Sequence, residues 1–228
     1  LINLNSGLTI LTHLGMTGKF FFIGKNKEKQ KTSFYYSIKK NESKHDHLTI
    51  YFNKGFKLIY NDVRKFGFLK LLRTKNIFTT DHLKFLGPEP LTNEFNLKYI
   101  TKFIINKKVK IKNLLMNQKF IAGLGNIYCN EILYLSSINP NRTTKNIKTK
   151  EISKIIFYTK KILKESIKKG GSSIKDFNST DGKTGSFQQQ FNVYGKDGKD
   201  CKTKNCSKII KKTYISNRSS FFCSKCQK

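Results

Sequence analysis

"IKNLLMNQKFIAGLGNIYCNEILY" (residues 111–134) decides how the middle of this chain folds. Its first part, "IKNLLMNQ", spaces apolar residues as a helix does; so does "NIYCNEILYLSSINP", which begins after Gly123 and Gly125 and is stopped by Pro140. Two helices joined through glycine-bearing turns are therefore predicted. The second helix opens with unpaired backbone N–H groups and the positive end of its dipole, and Asn126 adds a side-chain donor, so a phosphate would be held well there. A plain helix cap accounts for the same residues, and the charge around them decides between the two readings. Cys129, in the same apolar stretch, reads as a small buried hydrophobe rather than a reactive thiol.

Working outward, the helical pattern continues on both sides. "NLKYITKFIINKK" precedes the central stretch, and the long amphipathic "TKEISKIIFYTKKILKESIKKGG" follows it and ends at Gly170-Gly171, a C-cap signal. Upstream of residue 91 the character changes. "LINLNSGLTILTHLGMTGKFFFIG" holds two strand-like apolar runs parted by the glycines of "GMTG", "HLTIYFNKGFKLIYND" reads as a hairpin around Asn53-Lys54-Gly55, and "FGFLKLLRT" reads as another strand. The short helical or irregular "TTDHLKFLGPEPL" ends in a proline- and glycine-bearing cluster, which marks the boundary. Three segments are expected: a β-rich part over 1–90, a helical part over 91–180, and a loop with a strand-turn-strand tail over 181–228.

The tail carries four cysteines as C-x4-C-x16-C-x2-C: Cys201, Cys206, Cys223 and Cys226. No charged-then-apolar leader opens the residues given, so a reducing compartment is expected and a disulfide framework is the weaker explanation. The spacing predicts one structural zinc ion. No apolar run approaches the roughly 18 residues of a membrane span, so a soluble protein with no membrane partner is expected. The net charge of +31, from 45 basic and 14 acidic residues, points to a polyanionic partner, nucleic acid by default. Lys, Asn, Ile and Phe are abundant as AT-rich coding would make them, which makes the four arginines, Arg64, Arg73, Arg142 and Arg218, informative: an Arg marks a place where a planar forked donor is wanted.

Taken together, "HLGMTG" (13–18), "KHDH" (44–47), "NDVRKFG" (61–67), "LGPEPL" (86–91), the central stretch, "DGKTGSFQQQFNVYGKDG" (181–198) and "NRSSFFCSKCQK" (217–228) closely resemble the formamidopyrimidine-DNA glycosylase family, in family order. The resemblance implies an α+β fold: a remnant of an N-terminal β-sandwich, a helix-two-turns-helix domain, and a C-terminal β-hairpin zinc finger. It implies a monomeric, cytoplasmic base-excision enzyme that removes oxidised purines from double-stranded DNA and cleaves the strand as an abasic-site lyase.

Residue by residue, the resemblance gives Asn126 a phosphate beside the lesion and puts Lys112 near the damaged nucleotide. Arg218 would contact phosphate at the hairpin tip and assist the late strand-cleavage step. His45, Arg64 and Lys107 fall on DNA-contacting positions, and Lys183 lies in the loop over the flipped base. Met16, Arg64 and Phe66 match the trio that fills the space the base leaves. For Met16 and Phe66, ordinary core packing is the competing reading; for Arg218 it is a surface charge at a turn, and for His45 and His47 a solvated loop.

Family members begin with Pro-Glu, whose amine forms a Schiff base, and use a lysine further along; the expectation is that these, with roughly the first quarter of a typical member, lie outside the 228 residues or have been lost. The gap of four residues between Cys201 and Cys206 is also wider than the two that relatives commonly have. Two alternatives stand beside the glycosylase: a non-catalytic zinc-finger DNA-binding protein without the nucleophile and, more remotely, a basic zinc-ribbon RNA-binding protein. Within the family, "HLGMTG", Phe66 and "DGKTGSF" favour oxidised purines over the pyrimidine-directed sister group.

Overall fold

Successive side chains of a strand point to opposite faces, so "LTILTH" buries Thr9 and Leu11 and leaves Leu8, Ile10 and Thr12 partly exposed on the other face. In the computed structural model, which describes residues 1–24, 29–31, 42–105, 107–171 and 187–228, this strand, β2 (Leu8–His13), pairs antiparallel with β1 (Ile2–Asn3) and β7 (Phe68–Arg73). A second antiparallel sheet is formed by β3 (Gly18–Ile23), β4 (Lys29–Lys31), β5 (Asp46–Tyr51) and β6 (Lys57–Asp62), in the order β4-β3-β6-β5. The predicted hairpin is β5–β6, turning through Lys54 and Gly55, both at positive φ. The predicted last strand is β7.

The chain passes between the two sheets twice, at residues 14–17 from β2 to β3 and at 63–67 from β6 to β7. The first crossing is closed by the Gly18 N–H donating to the Leu14 carbonyl at 2.8 Å. A Cβ at Gly15 would come within 2.8 Å of the Phe66 carbonyl carbon and one at Gly67 would overlap the Tyr60 hydroxyl, so the two crossings lie against each other and only glycine fits at either place. Leu1–Lys84 forms one compact unit.

The second unit comprises Phe85–Lys169 with Phe187–Lys228. Its helices are α1 (Leu97–Ile104), α2 (Ile111–Leu115), α3 (Asn126–Leu135) and α4 (Thr149–Lys168). Helix α1 is capped by the Asn96 side chain, which accepts the Tyr99 N–H at 2.9 Å. The turns between α2 and α3 are pinned by Gln118, whose Oε1 accepts the Gly123 N–H at 2.7 Å while its amide donates to the Leu124 carbonyl at 2.9 Å. Gly123 sits at φ +79°, where a side chain would be strained. Ile111, Leu114, Leu115, Phe120, Ile121, Leu124, Ile132 and Leu133 are all buried, and they share one core with Ile152, Ile155 and Ile162 of α4. This core forces the two-turn geometry, since each apolar residue of the stretch is drawn inward.

The tail forms the hairpin β8 (Ile210–Ile215) and β9 (Arg218–Cys223), with Ser216 and Asn217 both at positive φ as a two-residue hairpin turn requires. Residues 181–228 are expected as a segment of their own, but Phe187–Lys228 packs with the helices, and this unit starts at Phe85 rather than near residue 91. Early membership follows from two bonds: Gly87 N–H donates to the Gln118 carbonyl at 2.8 Å and Ala122 N–H to the Pro88 carbonyl at 3.1 Å. Among the described residues no helix is long and apolar enough to cross a membrane.

Candidate nucleic-acid interface and metal centre

Helix α3 holds the tail with side chains spaced by helical turns. The Asn126 amide donates to the Ser219 carbonyl at 3.1 Å, and one turn later the Asn130 side-chain oxygen accepts the Phe221 N–H at 2.7 Å. Beside it, the buried Glu131 carboxylate accepts the backbone N–H groups of Asn192, Val193 and Tyr194 and the Asn192 amide, all within 2.9 Å. A buried charge needs such partners. The Asn130 and Glu131 contacts pass unnoticed in the sequence, because their partners are backbone groups some 60 to 90 residues away.

Lys112 reaches the same place from α2. It is fully buried, and its ammonium donates to the Ser219 carbonyl at 2.8 Å and the Ser220 hydroxyl at 2.6 Å. Lys112 and Asn126 thus share one acceptor on the first turn-proximal residues of β9, next to the exposed Arg218. Burial lowers the Lys112 pKa to about 8; Cys129 would raise it as an anion, while the like charge of Arg218 lowers it further. Cys129 offers no such anion: burial pushes its thiol up to about 12, so it stays neutral while Lys112 titrates.

A lysine whose folded pKa lies below its unfolded value is a burden on stability at low pH, relieved as pH rises from the folded to the unfolded value. Unfolding free energy measured from pH 7 to 10.5 is therefore expected to rise more steeply for this chain than for its Lys112→Met variant, with the difference opening above about pH 8. Parallel curves would contradict it.

The four predicted cysteines come together. Cys201 and Cys226 sulfurs are 3.8 Å apart, Cys206 and Cys223 are 3.7 Å apart, and all four lie within 4.8 Å of one another. A tetrahedron with metal–sulfur bonds of about 2.3 Å has sulfur–sulfur edges of about 3.8 Å. The donor set therefore fits a tetrahedral metal ion, and the distances are far beyond a disulfide bond of about 2.05 Å. Gln227 pins the tail beneath it, accepting the Cys223 N–H and donating to the Ile138 carbonyl, both at 2.9 Å.

In the β unit, Met16, Arg64 and Phe66 meet on the two crossings. The Arg64 guanidinium carbon stands 4.5 Å above the Phe66 ring, and its Nη1 lies 3.3 Å from the Met16 sulfur. Met16 is 56% exposed and Phe66 55%, so core packing is not what they do. Buried Asp62 holds the crossings in shape: it accepts from the Thr17 hydroxyl, the Gly67 N–H at 2.8 Å, the Tyr60 hydroxyl at 3.0 Å and the Arg64 N–H at 3.3 Å. Burial alone would raise its pKa, but these hydrogen bonds outweigh burial and hold the carboxyl below the usual range. Burial and Asp62 together push the Tyr60 phenol up to about 12.

The remaining expected residues are more scattered. His45 ends the 3-10 turn Glu42–His45, half-buried, while His47 uses Nε2 to meet the Asp62 carbonyl at 2.8 Å. Lys107 is exposed, with its ammonium 3.5 Å from the Phe103 ring centroid. Lys183 lies outside the described residues. Arg142 does use a forked donor, but internally. It pairs both nitrogens with Glu151, at 2.5 and 3.0 Å, and also donates to the carbonyls of Asn146 and Lys228.

Two helices joined through two turns and clamped to a hairpin with four convergent thiols define a helix-two-turns-helix protein with a cysteine-rich metal finger. Residues 86–178 match the formamidopyrimidine-DNA glycosylase H2TH domain, and residues 1–69 match the N-terminal domain of the same family. A formamidopyrimidine-DNA glycosylase of Bradyrhizobium sp. (strain ORS 278) is 38% identical over all of this chain and 80% of its own length; one from Rickettsia bellii (strain OSU 85-389) is 39% identical over all of this chain and 78% of its own. The Lactococcus lactis Fpg solved with abasic-site DNA superposes with a TM-score of 0.79 at 36% identity, covering 97% of this chain and 75% of that one. The chain belongs to the formamidopyrimidine-DNA glycosylase family.

Proposed function

We propose that this chain acts in base-excision repair, as a DNA glycosylase that removes oxidised purines such as 8-oxoguanine and formamidopyrimidines and then cleaves the strand as an abasic-site lyase. The observation that carries the reading is the convergence of Asn126, Lys112 and Arg218 on the start of β9, in a chain aligned with named glycosylases along its whole length. Solved relatives from Lactococcus lactis hold abasic-site DNA and Fapy-dG DNA, which supports the same class of substrate here. The charge of +31 suits a duplex partner.

In this reading Asn126 at the start of α3 donates to a phosphate beside the lesion, and Lys112 holds the Ser219 carbonyl so that Arg218 stands at the strand to be cut. Arg218 binds phosphate and assists the late elimination. Extruding a base loses a few kcal/mol of stacking, which an inserted side chain offsets in part. Met16, Arg64 and Phe66 present such a wedge. His45 and Lys107 add backbone contacts, and Lys183 covers the flipped base. The four thiolates hold zinc, the metal that a tetrahedral sulfur set selects in a reducing, cytoplasmic setting, and the protein works as a monomer.

The test is binding to a duplex with a stable abasic-site analogue. Asn126→Ala and Arg218→Ala are each expected to weaken binding by about 1–3 kcal/mol, roughly 5- to 150-fold, as the loss of a hydrogen bond to a charged phosphate would. In a fusion that supplies the family's N-terminal Pro-Glu segment, Arg218→Ala should slow strand cleavage more than base release. Unchanged affinity in both variants would overturn the reading.

A further inference from the structure

The wide first knuckle of the metal site has a use that its spacing alone does not reveal. Between Cys201 and Cys206, the extra residues carry Thr203, whose carbonyl accepts the Cys206 N–H at 3.0 Å while Asn205 turns the chain at φ 61°. Lys202 ties the knuckle back with a 2.8 Å bond to the Phe191 carbonyl. The Thr203 hydroxyl lies 2.9 Å from the hydroxyl of Tyr134, which in turn lies 3.4 Å from the Cys201 sulfur. Tyr134 is 7% exposed and shares a small core with Val193, Ile210, Phe221 and two of the four cysteines, Cys201 and Cys223.

The proton arrangement follows from donor counting. A metal-bound thiolate only accepts, so in the Tyr134–Cys201 contact the phenol is the donor, and its oxygen keeps lone pairs with which to accept from Thr203. The Thr203 side chain also reaches the Cys201 and Cys226 sulfurs and its N–H meets Cys201, so two linked hydroxyls end on metal ligands. Groups of this kind, outside the ligands themselves, orient them and commonly change metal affinity 10- to 100-fold when removed. Tyr134 also lies two helical turns after Asn126 on α3, so one helix carries both a phosphate donor and a grip on the metal site.

We propose that Tyr134 and Thr203 act as a positioning relay on the Cys201 sulfur, through which helix α3 fixes the first knuckle and retains the metal. This rests on the reading of the four cysteines as a zinc site.

The test uses the full chain loaded with zinc or cobalt(II), in its parent form and as Tyr134→Phe, Thr203→Val and the double variant. Phe keeps the buried ring and Thr203 is exposed, so the fold is retained. Competition with 4-(2-pyridylazo)resorcinol should show zinc held at least about 10-fold more weakly by Tyr134→Phe, and more weakly still by the double variant, because the Thr203 hydroxyl also reaches the Cys201 and Cys226 sulfurs. In the cobalt form, loss of the hydrogen bond should move the sulfur-to-cobalt charge-transfer band to lower energy in Tyr134→Phe, and less so in Thr203→Val. A parent that binds metal while the variants match it in affinity and band position overturns the relay. A parent that binds neither ion overturns the zinc reading itself, and the relay with it.

Discussion

On the zinc reading of the four cysteines, stripping the metal, or replacing Cys223 by Ser, is expected to unfold the tail and lower affinity for duplex DNA by about 100-fold or more. The buried sulfurs of Cys201 and Cys223 belong to the same small core as Tyr134, Val193, Ile210 and Phe221, so little apolar surface would hold the hairpin without the ion. Structural zinc in small fingers supplies about 10–16 kcal/mol of apparent binding energy, far more than this cluster can replace. The loss does not stop at the tail. Once β9 leaves, Lys112 and Asn126 lose the Ser219 carbonyl and Asn130 loses the Phe221 N–H, so the start of α3, which the proposed function sets against a phosphate, loses its support together with Arg218. Two charged-group hydrogen bonds at about 1.5–3 kcal/mol each set the expected drop in affinity. The measurement is limited trypsin digestion with and without chelator, alongside titration of a labelled duplex. New cleavage should appear at lysines between 199 and 212. A chelated chain that remains protease-resistant and keeps its affinity would refute the expectation.

The strands and long helices were legible because their signals are local. Apolar runs parted by the glycines of "GMTG" gave β2 and β3, a three-residue turn gave the β5–β6 hairpin, and the Gly170-Gly171 stop placed the end of α4 within a few residues. The cysteine cluster was legible for the same reason, since ligand spacing is written along the chain. What was hidden depends on partners far away in sequence. Glu131 looks like any helix-surface acid until the backbone of Asn192–Tyr194 wraps it, and Arg142 looks like a DNA-binding fork until Glu151 takes it. Lys112 shows the limit most clearly. The resemblance puts it near the damaged nucleotide, but nothing along the chain shows that its ammonium bonds to β9, more than a hundred residues on. Met16 and Phe66 could have been core or wedge by sequence; burial against exposure is a tertiary fact, set by two crossings that pack through Gly15 and Gly67.

On the proposed function, affinity for duplex DNA should fall by about 10^3 to 10^5 between 50 and 200 mM salt, as for a protein that neutralises roughly 6–10 phosphates. A charge of +31 alone does not set that number, because lysines facing away from the duplex release no counterions. The slope of log affinity against log salt counts the cations that matter, at about 0.9 per phosphate. This separates Arg218 from Asn126. Arg218 is exposed and charged beside the hairpin turn, so Arg218→Ala should both weaken binding and flatten the slope by about 0.9. Asn126 is a neutral donor, so Asn126→Ala should weaken binding to a similar degree and leave the slope where it was. The pair is informative because a general loss of fold would move both quantities in both variants. Fluorescence titrations at four or five salt concentrations decide it. If Arg218→Ala leaves the slope unchanged, its guanidinium does not sit on a phosphate, and its role must be sought among the protein's own contacts, where Arg142 already shows how this chain uses an arginine internally.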